Sequence, residues 1–220
     1  MTRIAFLHTG AVVIPPVTAA AREALPDAEL VNYLDDRIVA DLGDPARTAS
    51  VPERVAGLVR AAQAGGADVV MLTCSSISEL AAPTAAAVGI PVLRIDEAMA
   101  DAAVAAGDRI AVLATLPTTC APTVALIRER AASAGREPRI TAEVIDGAFA
   151  AVSSGDRATH DGLVAAAVER VAADADVVVL AQASMASAAD AAHVAVPVLS
   201  SISLGIDRLR DRVRAEGEGR

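Results

Sequence analysis

Short, uninterrupted apolar runs recur along the chain at 4–7, 69–72, 90–95, 110–113, 140–145, 177–180 and 196–199. They are rich in Val, Ile, Leu and Ala and are often bounded by Gly, Pro or Asp. Runs this short, with no polar alternation, predict strands buried on both faces rather than buried helices. Ala-rich segments between them predict helices near 16–24, 52–64, 77–87, 97–106, 120–134, 160–173, 185–192 and 203–214. Ser, Thr or Asp near several of these starts supplies N-caps. Strands alternating with helices predict an α/β fold whose parallel sheets are covered on both faces.

The pattern is also doubled. Residues 67–76 read ADVVMLTCSS and residues 175–184 read ADVVVLAQAS. IAFLHT at 4–9 matches IAVLAT at 110–115, and GIPVL at 89–93 matches AVPVL at 195–199. Two similar halves imply a cleft with paired loops facing it. The expected division is 1–95 plus 199–220 for the first domain and 96–198 for the second. The helix at 203–214 is expected to pack back on the first half. Asp96 and Glu97 start the crossing helix, where acids suit the positive end of the helix dipole. The tail AEGEGR at 215–220 is expected to fray. Aligning the copies sets Cys74 on Gln182 and Ser76 on Ser184.

Composition narrows the chemistry. The 220 residues are 54% hydrophobic and only 1% aromatic, so Ala, Val, Leu and Ile must build the core through closely approaching elements. A net charge of −9 argues against binding nucleic acid or an anionic membrane surface. It leaves an anionic small substrate open, because a local site can oppose the global field. All 19 basic residues are arginine. The absence of lysine excludes a Schiff-base lysine and a Walker-type phosphate loop. The two cysteines, Cys74 and Cys120, have no metal-like spacing. With no signal peptide and no apolar run long enough to span a bilayer, the chain reads as cytoplasmic, with reduced thiols.

Ligands of open parallel sheets bind beyond the carboxyl ends of the strands. Four loops leave such ends: His8-Thr9-Gly10, Thr73-Cys74-Ser75-Ser76, Thr115 to Thr119, and Gln182-Ala183-Ser184-Met185. All carry small hydroxyl side chains, which together with helix N-terminal amides make a carboxylate receptor without arginine. Cys74 directly follows a strand. A helix beginning near Ser76 or Ile77 would favour its thiolate. Such a thiolate can take a proton from carbon, and the thiol can return one to a carbanion.

VVMLTCSS at 69–76, VVVLAQASMA at 177–186 and IAVLATLPTT at 110–119 resemble the aspartate/glutamate racemase superfamily. That group includes glutamate, aspartate and hydantoin racemases, maleate isomerase and arylmalonate decarboxylase. The resemblance covers nearly the whole chain. It implies two pseudo-symmetric Rossmann-like domains with the active site in the cleft between them, and no metal or organic cofactor. Family racemases use one cysteine from each half. Here the first is Cys74, Ser75 and Ser76 match residues that bind substrate carboxylate, and Thr115 and Thr118 match the second-half carboxylate loop. The second cysteine position is held by Gln182, which cannot act as an acid or base at neutral pH.

Three readings follow from that departure. One is a single-acid decarboxylation or isomerisation with protonation from the Cys74 side. Another is a racemisation or epimerisation at the carbon α to a carboxylate that recruits His8 as second base. The third is a site that binds carboxylates without turnover. Thr9, Ser184 and Gln182 complete the expected set of substrate-holding residues. Cys120 reads as packing, His160-Asp161 as the opening of a helix, and His193 and Arg94 as surface. A small-molecule carboxylate is the expected partner. Family members are commonly dimers or higher, so a homo-oligomer is open.

Overall fold

In a computed structural model describing residues 1–189 and 191–218, the apolar runs become parallel strands in two separate sheets. The first sheet contains β1 (Arg3–His8), β2 (Glu29–Leu34), β3 (Val69–Leu72) and β4 (Val92–Arg94) in the order β2-β1-β3-β4. Its helices are α1 (Ile14–Ala24), α2 (Ile38–Leu42), α3 (Val51–Ala64) and α4 (Ala81–Val88). The second sheet contains β5 (Arg109–Ala114), β6 (Arg139–Val144), β7 (Val177–Leu180) and β8 (Val198–Ser200) in the order β6-β5-β7-β8. With it run α5 (Glu97–Ala106), α6 (Pro117–Ser133), α7 (Ala148–Ser153), α8 (Arg157–Ala172) and α9 (Ala186–Ala189). The last helix is α10 (Ser201–Glu218).

The sequence repeat is a repeat of strand register. Ile4 pairs with Val69 and Leu7 with Leu72, just as Ile110 pairs with Val177 and Leu113 with Leu180. The second strand of each pair, β3 or β7, is buried at every position. Helices on both faces leave no side of a central strand for water, so alternation vanishes from its sequence. In the first unit Leu7, Val55, Val59, Leu72, Ile77 and Val92 form one apolar cluster. In the second, Leu113, Val164, Val168, Leu180 and Met185 do the same. Each such side chain stabilises its unit by about 1.5–3 kcal/mol when fully buried.

The chain divides after Ile95 and again after Ser201, so the first unit contains Met1–Ile95 and the segment from Ile202 onward. The second is Asp96–Ser201. The return falls after Ser201 rather than at 199 because Val198 to Ser200 pair with β7. Ile202, Ile206 and Leu209 are the buried face of α10, an i, i+4, i+7 stripe. Gly205 lies on the same helix. A Cβ there would sit 2.4 Å from the carbonyl oxygen of Ile95, so only glycine allows this approach.

Several elements differ from the expectation. β2 was not expected. It is an edge strand bonded only to β1, and Glu29 and Asn32 interrupt its apolar signal. The short helices α2 and α7 also lie where none was read. No helix begins at Ser76 or Ile77. Residues 75–77 form a turn, Ser78–Leu80 one 3-10 turn, and α4 starts only at Ala81. The segment expected as a helix over 185–192 is a 3-10 turn at Ala183–Met185 followed by α9; that expectation also crosses Asp190, which lies outside the described residues. α10 continues to Glu218 through a stretch expected to fray, and 219–220 lie outside the described residues. No described helix is long and apolar enough to cross a membrane.

Candidate functional site

The carboxyl ends of β1 and β3 are joined by side chains as well as by backbone. His8, the last residue of β1, is fully buried. Its Nε2–H donates to Asn32 Oδ1 on β2 at 2.8 Å. With that proton on Nε2, Nδ1 is an acceptor. The Thr73 hydroxyl lies 2.8 Å from Nδ1 and 3.0 Å from the Leu7 carbonyl oxygen, so its one proton is shared between these two acceptors, while the Thr73 amide serves the same Leu7 carbonyl at 3.0 Å. His8 therefore belongs to the sheet and not to the loop beyond it. Burial lowers its pKa, against a smaller opposing effect of the Asn32 bond. The ring is neutral at physiological pH, with both nitrogens engaged.

Cys74 follows Thr73 directly and is half-buried. Its carbonyl accepts from Ile77 N–H at 3.2 Å, which closes the turn. Ser75 and Ser76 within that turn are buried, as is Thr9 after β1. Because the α-helix starts only at Ala81, the helix dipole invoked for the thiol does not act at Cys74. A different charge reaches this turn. Arg94 ends β4 opposite Leu72, and its Nη2 donates to Ser78 Oγ at 3.0 Å. The sequence reading set Arg94 on the surface. Its position at the carboxyl end of the strand beside β3 was the available signal.

In the second unit the equivalent strand ends are joined one residue further along. Gln182 follows β7 in extended conformation. Its Oε1 accepts from the Thr115 backbone N–H at 2.5 Å, and its Nε2 donates to Thr115 Oγ1 at 2.6 Å. Both polar atoms of the amide thus close on one residue. Thr118 lies in the first turn of α6. Its hydroxyl oxygen is buried and has no hydrogen-bond partner among the described residues. Ser184 is part-buried, and its carbonyl accepts from Arg157 Nη1 at 2.7 Å.

The remaining candidates lie elsewhere. Cys120 is half-buried on α6, and burial pushes its thiol up, away from the reactive thiolate. Asp156, not the His160-Asp161 pair, caps α8 by accepting from Thr159 N–H at 3.0 Å. His160 is fully buried one turn on and donates from Nδ1 to Asp161 at 2.7 Å. His193 is exposed.

A family model described as Asp/Glu/hydantoin racemase matches residues 7–209. Among curated proteins none matches the chain. A glutamate racemase isoform from Bacillus anthracis superposes with a TM-score of 0.77 at 17% identity, covering 98% of this chain and 83% of that one. Allantoin racemase from Klebsiella pneumoniae superposes with a TM-score of 0.67 at 21% identity, over 99% and 89%. An arylmalonate decarboxylase gives 0.61 at 22% identity, over 99% and 94%. At these identities the structures share the two-domain α/β fold of this chain.

Proposed function

We propose, starting from the fact that the chain belongs to the Asp/Glu/hydantoin racemase family, that it moves a proton at the carbon α to a carboxylate, with Cys74 as acid/base. The observation that carries this reading is Cys74 itself: a half-buried thiol at the carboxyl end of a central parallel strand, in a turn with buried Ser75 and Ser76. The thiolate takes the α-proton, and the substrate carboxylate becomes an enediolate. Hydroxyl and amide donors stabilise the charge that develops on its oxygens. Ser75, Ser76 and Thr9 serve that purpose in the first unit, and the hydroxyls of Thr115, Thr118 and Ser184 in the second, the Thr115 N–H being taken by Gln182. The Cys74 thiol then returns a proton to carbon from the same face, which exchanges the α-hydrogen with solvent; a net change of the substrate needs inversion by a donor on the other face or loss of a leaving group such as carbon dioxide. Neither a metal nor an organic cofactor is recruited.

His8 takes a positioning role in this mechanism. Its two bonds hold Thr73, and hence the start of the Cys74 turn, against β1 and β2. With both ring nitrogens engaged, His8 is a poor second base. Gln182 has no acid or base to offer. The geometry therefore favours proton delivery from one face over two-base racemisation. A single-acid decarboxylase follows the same logic: loss of carbon dioxide leaves the enediolate, and Cys74 protonates it.

Proton NMR in heavy water over a panel of amino, hydroxy and malonic acids and hydantoins tests the reading. The native protein is expected to exchange an α-hydrogen, or to release carbon dioxide and incorporate deuterium. Cys74→Ser is expected to lose about 10²–10⁴ of the rate, the usual worth of a positioned acid/base. Full turnover by Cys74→Ser would sink the proposal. Ligand binding with no exchange would favour a carboxylate-binding protein instead.

A further inference from the structure

The Gln182–Thr115 pair says more than that a cysteine is missing. A carboxylate received at a strand-end loop needs backbone N–H and hydroxyl donors. In the second unit the backbone N–H of Thr115 already donates to Gln182 Oε1, and the Thr115 oxygen already accepts from Gln182 Nε2. The amide oxygen of Gln182 thus occupies the place that a carboxylate oxygen would take. Its amide nitrogen fixes the Thr115 side chain from the other end of the same group. Two short bonds converging on one residue hold the amide in one orientation.

We infer that Gln182 is a built-in stand-in for a carboxylate, filling the second-unit oxyanion position and selecting against substrates that bring a second carboxylate. This rests on the reading of Thr115 as a substrate-facing residue. What stays available in the second unit is neutral hydroxyl donors: Thr115 Oγ1 accepts from Gln182 Nε2 but keeps its own proton to donate. Thr118 Oγ1 is buried and has no partner among the described residues. A lone buried hydroxyl suits a neutral carbonyl or hydroxyl oxygen better than an ion, because it brings no charge to offset the desolvation of one. The substrate class is then a monocarboxylic acid with a neutral oxygen function, such as an amide, ester, ureide or hydroxyl.

The test follows the Thr115 amide resonance while acetate and malonate are titrated as probes. In the native protein that resonance is expected to stay fixed. In Gln182→Ala it is expected to move with a saturable curve, with affinity for either probe higher by about tenfold or more, the worth of a hydrogen bond to a charged group. Gln182→Glu keeps an acceptor at Thr115 and adds like charge, so it is expected to stay as closed as the native protein or more so. That variant separates occupancy of the position from loss of bulk and guards against a misfolded Ala variant. Equal titration of native protein and Gln182→Ala would overturn the inference while leaving the role of Cys74 untouched. Failure of both probes with all three proteins would also overturn it, because the loop would then not be an oxyanion receptor. A Cys74→Ser variant that turns over normally would instead remove the functional reading beneath it.

Discussion

The two sheets share strand order and register, yet each fastens its central strand ends differently. In the first unit the fastening is His8 to Thr73, at the last residue of β1 and the first after β3. Their counterparts in the second unit are Ala114 and Ala181, which have no polar side-chain atoms. There the fastening moves out by one residue, to Thr115 and Gln182. Thr115 and Gln182 are the counterparts of Thr9 and Cys74. One unit thus secures its strands beneath the loop and leaves the next position for a thiol. The other spends that position on the fastening. In this repeat the thiol stands at the position whose fastening duty is carried by its neighbour Thr73.

The comparison breaks most visibly if the duty can be moved in the second unit as well. Gln182→Cys removes the fastening and restores the thiol expected from the repeat. On a substrate processed from one face, the product should change from a single hand toward a mixture of both, read by chiral chromatography. A product of unchanged hand would mean that the two positions are not chemically equivalent.

Stability should sharpen the contrast. Thr73→Val leaves Nδ1 of a fully buried His8 without its donor and is expected to cost about 1–3 kcal/mol in urea unfolding, the penalty of an unsatisfied buried group. Thr115→Val keeps the backbone N–H bond to Gln182 and loses only the hydroxyl acceptor in a part-buried setting, so about 1 kcal/mol is expected. The reverse order would mean that the second-unit pair is the stronger fastening.

The smallest effect is in pH. Burial lowers the folded-state pKa of His8 below its ordinary 6.5. The unfolded chain therefore binds more protons than the folded one in the window below 6.5. Stability from this residue is complete above that value and falls as the solution is acidified toward the folded-state pKa, by at most about 1.4 kcal/mol per pH unit. His8→Gln should flatten that part of the stability profile. An unchanged slope would show that the histidine titrates alike in both states.

Most of the fold was legible because the buried strands advertise themselves as apolar runs and because the repeat supplies each with a second copy. That same alignment singled out Cys74, Thr115 and Gln182. What escaped was non-local. β2 is polar at Glu29 and Asn32, so it carried no strand signal, and without it nothing indicated that Asn32 meets His8. His8 therefore looked like a loop base when it is a bonded residue of the sheet. Arg94 reaches Ser78 across a strand pair; its place at a strand end was a signal, but no local pattern names the partner. The hydrogen bonds of Gln182 likewise join residues far apart in sequence. The late start of α4 was missed because the Ser-rich turn before it has the composition of a helix cap.

The return of α10 to the first unit bears on how the protein is made. Ribosomes release a chain in order, and domains usually fold as they emerge. Here the stretch that carries Cys74 emerges before the second unit, but Ile202, Ile206 and Leu209 and the tight approach of Gly205 to Ile95 come from a stretch translated after the whole of that unit. The second unit is continuous and can close while synthesis continues. The thiol-bearing unit is begun before the second unit and finished after it, so a chain cut short before Ser201 would carry the cysteine without the helix that completes its domain.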